Sequence, residues 1–284
     1  MQQQPKRGKV ILAGAGCGDP ELITLKAVRW LQQADVVLTD RLVSREILST
    51  YVNPSAELVY VGKQCRRGFS TPQQSINELL VQYAAEGKLV VRLKGGDVSV
   101  FSNILDELEA LTANHIPYEI VPGVSAAMGA AAYSGIPLTA RGHSTAVRLL
   151  TFYKNDVVTA AYWKELAATD DTLVFYMSSE TLDGVVENLL SNGIDKDKQL
   201  AIIEQASTPM QQVHVCNLHN YSKSLAGIAL ASPTLIIIGK VVALHQQFRW
   251  IKEQAIAGEY FKPLSDEEFE SLLKEIATGT TKRI

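Results

Sequence analysis

The sequence predicts an α/β fold, and three observations carry that prediction. From Lys9 onward short β-branched runs alternate with amphipathic stretches, the same rhythm restarts after Pro122-Gly123, and the first apolar run opens directly into a glycine-rich turn. With 284 residues, 46% hydrophobic and 20% charged, the chain is long enough to bury two medium cores. Two compact domains are therefore expected, residues 1–122 and 123–284.

Residues 10–13 read as the first strand, 22–33 as an amphipathic helix, and 36–39 and 58–61 as the next two strands. A helix start follows, with Thr71 placed to cap, Pro72 at the first helical position and Gln74 at the third. Ile76, Leu79, Leu80 and Tyr83 then recur at helical spacing, which predicts a helix to about Glu86. Residues 89–93 form a short, nearly continuous apolar strand, 104–111 a helix, and 118–121 a strand that ends at the domain boundary. The second half opens on the small-residue run 125–133. Strands are expected over 147–151, 172–177, 200–204, 213–218 and 234–238, with a helix over 182–190. Ser265 and Glu268 carry a capping-box signature ahead of Phe269, Leu272, Leu273 and Ile276, so the chain is expected to end in an appended helix of the second domain.

Composition excludes several classes of function. Lysine plus arginine number 27 against 30 aspartate plus glutamate, a formal balance of −3, and no basic block appears, so nucleic acid is not an expected partner. The first nine residues are polar, and the longest apolar run, 235–244, is broken by Gly239 and Lys240; no membrane segment and a cytoplasmic location are expected. Cys17, Cys65 and Cys216 lie far apart without a C-x-x-C, and the five histidines show no ligand spacing, so neither a disulfide nor a metal is expected.

The first glycine turn is Gly14-Ala15-Gly16-Cys17-Gly18-Asp19-Pro20. Its glycines allow a sharp turn and close approach of a ligand. A dinucleotide loop is the obvious rival, with Asp40 passing for its ribose-binding acid. The spacing is G-x-G-x-G rather than G-x-G-x-x-G, however, and Asp19 stands where a carboxylate would repel a pyrophosphate. Taken singly, the other features have bland readings: Gly95-Gly96-Asp97 as a plain turn, Asp40 as a turn or cap residue, Lys63 as a solvated surface charge.

Their order along the chain is more specific. Gly14 to Pro20, Asp40-Arg41-Leu42-Val43-Ser44, Val61-Gly62-Lys63, Arg92-Leu93-Lys94-Gly95-Gly96-Asp97, Val121-Pro122-Gly123-Val124-Ser125-Ala126, Gly135-Ile136-Pro137-Leu138-Thr139, Tyr176-Met177-Ser178 and Ser232-Pro233 follow one another. In this the chain resembles the tetrapyrrole methylase family, and within it the uroporphyrinogen-III C-methyltransferases, throughout residues 9–250. The resemblance implies two α/β domains with mostly parallel sheets and a cofactor cleft between them. It implies S-adenosylmethionine as methyl donor, contacted by Cys17, Gly95, Gly96, Asp97, Val100, Ser125, Ala126, Met177 and Ala206. It implies Asp40 as proton acceptor and Lys63 as proton donor, a tetrapyrrole as small-molecule substrate, and a homodimer.

The implied substrate is a polycarboxylate, which calls for cations; Arg41, Arg66, Arg67 and Arg141 are the candidates, with Lys63, Lys94 and Arg148 as further basic residues. Family members that carry a fused dehydrogenase and ferrochelatase module are longer, so those later steps are expected of other proteins. The chain also departs from the family pattern. Cys17 stands in place of a proline. Ser102-Asn103-Ile104-Leu105 stand in place of G-R-G-G. Thr139-Ala140-Arg141 stand in place of T-H-R, and Thr151-Phe152-Tyr153 in place of T-G-H. A related methylase acting on another tetrapyrrole is the alternative. A nicotinamide-dependent oxidoreductase and a non-catalytic binding protein are the readings from other classes.

Overall fold

A computed structural model describes residues 8–61, 63–64, 69–70, 73–152, 158–252, 256 and 258–278. Its first elements are β1 (Lys9–Gly14), α1 (Leu25–Leu31), β2 (Val36–Thr39), α2 (Arg45–Tyr51), β3 (Glu57–Tyr60), β4 (Lys63–Gln64) and β5 (Phe69–Ser70). There follow α3 (Gln73–Ala85), β6 (Leu89–Lys94), α4 (Ile104–Ala113), β7 (Tyr118–Val121), α5 (Ala126–Ser134), β8 (Val147–Thr151), α6 (Ala160–Ala168) and β9 (Thr172–Tyr176). The remainder are α7 (Leu182–Ser191), β10 (Gln199–Glu204), β11 (Gln212–Asn217), α8 (Tyr221–Ser224), β12 (Thr234–Gly239), α9 (His245–Phe248) and α10 (Asp266–Thr278). The chain divides into two units, one running to Ser125 and resuming at Phe261, the other comprising Ala126–Tyr260.

The first unit is built on a five-stranded sheet in the order β3-β2-β6-β1-β7, with every pair parallel. Alternate residues serve opposite faces. Ile11, Ala13, Val37, Val91 and Leu93 pack with Ala27 and Leu31 of α1, Ile47 and Leu48 of α2, and Leu272 and Ile276 of α10. Val10, Leu12, Val36, Leu38 and Val90 pack on the other side with Ile76 and Leu80 of α3 and Leu111 of α4. Both faces are covered, which is why these strands read as unbroken apolar runs rather than as alternation.

Local chemistry sets the helix starts. The Thr24 hydroxyl accepts from the Ala27 N–H at 3.2 Å and the Ser44 hydroxyl from the Ile47 N–H at 3.3 Å, opening α1 and α2. The helix expected over 22–33 is shorter because Thr24 caps it there. The residues before it form a separate 3-10 turn, Pro20–Leu22, whose Glu21 N–H is taken by the Asp19 carboxylate at 2.8 Å. Thr71 and Pro72, expected to open α3, lie outside the described residues.

The second unit departs from the expected mostly parallel sheet. Its strands run β11-β10-β12-β9-β8, and only the β8/β9 pair is parallel; β9/β12, β10/β12 and β10/β11 are antiparallel. The link from β10 to β11, Gln205 to Gln211, holds no helix and is too short for a parallel return, which needs a crossover of about a dozen residues or more. One face packs Phe175, Leu200, Ile202 and Ile236 with Trp163 of α6 and Val185, Val186 and Leu189 of α7. The other packs Val174, Ala201, Ile203 and Ile237 with Ala127 and Ala130 of α5.

Two domain assignments change. The division falls after Ser125 rather than after Pro122, because the Gly123 N–H is held by Asp97 of the first unit at 2.8 Å. The appended helix belongs to the first unit. It opens as its sequence predicts, with the Ser265 N–H donating to Glu268 Oε2 at 2.7 Å and the Glu268 N–H to Ser265 Oγ at 3.2 Å, but its apolar face buries Leu272 and Ile276 against α1 and α2.

Candidate active site

In the first unit four loops gather at the carboxyl ends of the adjacent strands β2, β6, β1 and β7, the edge at which open parallel sheets bind ligands. Their motif glycines let backbone pack on backbone. Gly16 and Gly96 pair, with the Gly16 N–H donating to Gly96 O at 3.2 Å and the Gly96 N–H to Gly16 O at 2.6 Å. A side chain at Gly14 would meet Gly96 O at 2.6 Å and Gly123 N at 2.7 Å, and one at Gly95 would meet Leu42 Cβ at 2.6 Å. The stretches that follow β1, β2, β6 and β7 are therefore parts of one packed cluster.

Asp97, expected to meet the cofactor, is also the clamp of this cluster. Its Oδ2 accepts from Gly123 N at 2.8 Å, and its Oδ1 accepts from Ser99 N at 2.8 Å and from the Ser99 hydroxyl. Burial pushes its carboxyl upward, but the Ser99 hydroxyl and the Gly123 and Ser99 amides outweigh that and hold it below the ordinary aspartate value. Cys17 and Ser125 are buried beside these loops in sequence, and Val100 is half-buried.

Asp40 follows β2 on the face of Val36 and Leu38. Its Oδ1 accepts from Leu42 N at 3.0 Å, its Oδ2 stands 3.5 Å from Arg92 Nη2, and its side chain is 24% exposed, so a tethered carboxylate still reaches solvent. Arg92 is itself fixed: it donates to Glu107 Oε1 at 3.2 Å, Leu93 O at 3.1 Å and Leu38 O at 3.4 Å. Glu107 is fully buried and also takes Lys94 Nζ at 2.9 Å. Burial pushes the Lys94 ammonium below the ordinary lysine value, against the pull of Glu107 and with the help of the Arg92 charge. The sequence reading missed this network. Its signal was present, since Arg92 and Lys94 interrupt an apolar strand at alternate positions and Glu107 lies on the Ile104, Leu108, Leu111 face of α4.

The candidate cations separate. Arg41 donates to Phe261 O at 3.4 Å. Lys94 is committed to Glu107, and Arg148 to Glu165 and Asp171, each at 2.6 Å, so these two are removed from the substrate-facing set. Arg141 is exposed and in no ion pair among the described residues. Lys63 is described through its backbone, in β4 against Ser70 of β5; Arg66 and Arg67 lie outside the described residues.

In the second unit, Met177 follows β9 with φ +52° and a half-exposed side chain. Ala206 follows β10 between Gln205 and Ser207, which both have positive φ, +47° and +61°. The Gln205 side chain holds that turn by donating to Gly258 O at 3.1 Å and accepting from Tyr260 N at 2.5 Å. Strained backbone of this kind concentrates at ligand sites. Ala126 opens α5, where the Ala127 N–H donates to the Tyr176 hydroxyl at 3.0 Å. Two departures from the family pattern have structural uses: Phe152 packs edge-on to Trp163 at 5.1 Å, and Ile104 starts α4 and packs toward Leu111. Tyr153 lies outside the described residues.

The model of the tetrapyrrole (corrin/porphyrin) methylases matches residues 9–221. The chain belongs to this family. The siroheme synthase of Acinetobacter baylyi is 46% identical over 245 residues, 86% of this chain and 53% of that protein, so the chain spans about half the length of such relatives. A uroporphyrin-III C-methyltransferase structure from Thermus thermophilus superposes with a TM-score of 0.71 at 36% identity, over 87% of this chain and 98% of that one. Another from the same organism, complexed with S-adenyl homocysteine, gives 0.69 at 34% identity over 83% and 93%. This methylase therefore belongs to an S-adenosylmethionine-dependent family. In the first unit the loops after β1, β6 and β7 present closely packed backbone, with Val100 half-buried beside the Asp97 turn. Among the described residues no group of three or more histidine, cysteine or acidic side chains could hold a metal ion, and no helix is long and apolar enough to cross a membrane.

Proposed function

We propose that this methylase transfers methyl groups from S-adenosylmethionine to two pyrrole carbons of uroporphyrinogen III, giving precorrin-2 and two S-adenosylhomocysteine. The observation that carries this reading is the intact stretch Asp40-Arg41-Leu42-Val43-Ser44, with the Asp40 carboxylate oriented by Leu42 N and Arg92 and still open to solvent. The 36% identity to a uroporphyrin-III C-methyltransferase over 98% of that chain supports the choice of substrate. S-adenosylmethionine, when bound, supplies a methyl group already activated on sulfur. The protein's part is alignment, exclusion of water and proton handling.

Gly95, Gly96, Asp97, Val100, Cys17 and Ser125 in the first unit, and Ala126, Met177 and Ala206 in the second, are the residues we assign to the cofactor. Attack by a pyrrole carbon disturbs the conjugation of the macrocycle, and loss of a proton restores it. Asp40 accepts that proton on its carboxylate, and Lys63 is its donor partner. Arg41, Arg66, Arg67 and Arg141 hold substrate carboxylates. We further infer a cytoplasmic homodimer.

Anaerobic incubation of uroporphyrinogen III with the protein and S-adenosylmethionine, read by mass spectrometry, is the test: a gain of two methyl groups is expected. A macrocycle of unchanged mass, with the cofactor bound, overturns the reading in favour of another tetrapyrrole or a binding role. Asp40→Asn keeps size and hydrogen-bonding shape but loses basicity. Turnover should fall by about 10² to 10⁴ with cofactor affinity near wild type. Near-normal turnover removes Asp40 as the base.

A further inference from the structure

The resemblance stops near residue 250, yet residues 261–278, farther along the chain, pack beside the Asp40 motif. Two arginines, Arg41 within the motif and Arg45 just after it, are both held by this segment. Arg41 donates to the carbonyl of Phe261, a residue 4% exposed. Arg45, the first residue of α2, grips Glu275 of α10 with two nitrogens, Nη2 to Oε1 at 2.5 Å and Nε to Oε2 at 3.4 Å. It also donates to Glu268 O at 3.3 Å and Ser271 Oγ at 3.2 Å. Behind these polar contacts Leu272 and Ile276 enter the core that also holds Ile47 and Leu48, so α10 is docked on α2 by burial and registered on it by charge.

The opposite side of the motif is closed as well, since a side chain at Gly95 would collide with Leu42. Residues 40–44 are thus confined between the Gly95-Gly96 loop and the C-terminal segment, and the motif runs on directly into the α2 start that Arg45 anchors. From this geometry we infer that the C-terminal segment is a brace that positions the Asp40 loop, with Arg45 and Glu275 as positioning residues that act through the α2 N-terminus. The inference rests on the reading of Asp40 as the base for its bearing on turnover; the mechanical part stands apart from it. A helix that only covered apolar surface would need Leu272 and Ile276 but not a four-point grip on the residue that follows the motif.

The test uses the full chain with Glu275→Gln, which removes charge at nearly constant volume and leaves the apolar docking of α10 in place. Amide hydrogen exchange over residues 40–48 should quicken about fivefold, the scale of a partly exposed ion pair, while β1 and β6 stay unchanged. In turnover assays kcat should fall by a similar factor, about fivefold, with cofactor affinity unaltered. The charge exchange Arg45→Glu with Glu275→Arg should restore both. Unchanged exchange over 40–48 overturns the brace. So does quickened exchange with unaltered kcat in an enzyme that Asp40→Asn inactivates, since α10 would then be a cover and nothing more. Quickened exchange together with a fully active Asp40→Asn enzyme upholds the brace and instead removes Asp40 as the base.

Discussion

Asp97 illustrates how one side chain carries both a fold and a site. With three donors on its two oxygens, it ties the Gly95-Gly96 turn to Gly123 and so fixes the loop cluster from which the proposed cofactor contacts of the first unit are drawn. Asp97→Ala leaves the Ser99 and Gly123 amides without their partner. The ligand-free protein should lose about 1.5 to 3 kcal/mol in urea denaturation, and S-adenosylmethionine should bind more weakly as the loop relaxes. Weakened binding with unchanged stability would show that the carboxylate serves the ligand and not the clamp. The sequence reading assigned the glycines to ligand approach. At Gly14 and Gly123 the first constraint is protein packing on protein, because a side chain there collides with neighbouring backbone.

At the scale of elements, the edge strand β7 is held by Glu119, which meets Lys9 and Lys26 at 2.7 Å each and accepts from Trp30 Nε1 at 3.2 Å. Lys26 chiefly, then Lys9 and Trp30, pull its carboxyl from 4.5 down to about 2. A carboxyl whose value is depressed on folding adds stability that is complete above its unfolded value of 4.5 and is lost as pH falls through about 2. The side chain is 25% exposed, and water screens the pairs, so the contribution near neutral pH is about 1 kcal/mol. Glu119→Gln should lower the urea midpoint near neutral pH, and the gap to wild type should close as pH falls from 4.5 toward 2. A gap that widens on acidification would contradict this assignment. The buried Arg92, Glu107 and Lys94 network follows a different logic: ions this deep do not add much net stability, and their product is the fixed direction of Arg92 toward Asp40.

For the whole molecule, a net charge of −3 is compatible with the basic substrate surface proposed above, because several other basic residues are neutralised locally. Lys94 and Arg148 have acidic partners, while Arg141 stands open and Arg41 binds a neutral carbonyl. If Arg41, Lys63, Arg66, Arg67 and Arg141 face a polycarboxylate, the KM for tetrapyrrole should rise with ionic strength while that for S-adenosylmethionine barely moves. Screening weakens interactions beyond about 8 Å at physiological salt, and the multiply charged substrate feels it most. Initial-rate kinetics across a salt series check this, and equal dependence for both substrates would count against a basic substrate surface.

Legibility followed the range of the interaction. Strands 118–121 and 147–151, the Ser265 and Glu268 capping box and the α/β rhythm could be read directly, because alternation, caps and turns are set by neighbours a few residues apart. The ordered motifs carried the family for the same reason: each is a short stretch with its own local conformation. What the tertiary structure decided are the pairings between residues distant in sequence. Arg148 found Glu165 and Asp171, Glu107 found Arg92 and Lys94, and β10 paired with β11 and β12 to make the second sheet mostly antiparallel. The last helix announced its start in four residues, but the partner of its Glu275 lay 230 positions away at Arg45. Only the packing of its apolar face on α2 brings the two together, since burial and charge pairing depend on position in space and leave no periodic trace along the chain.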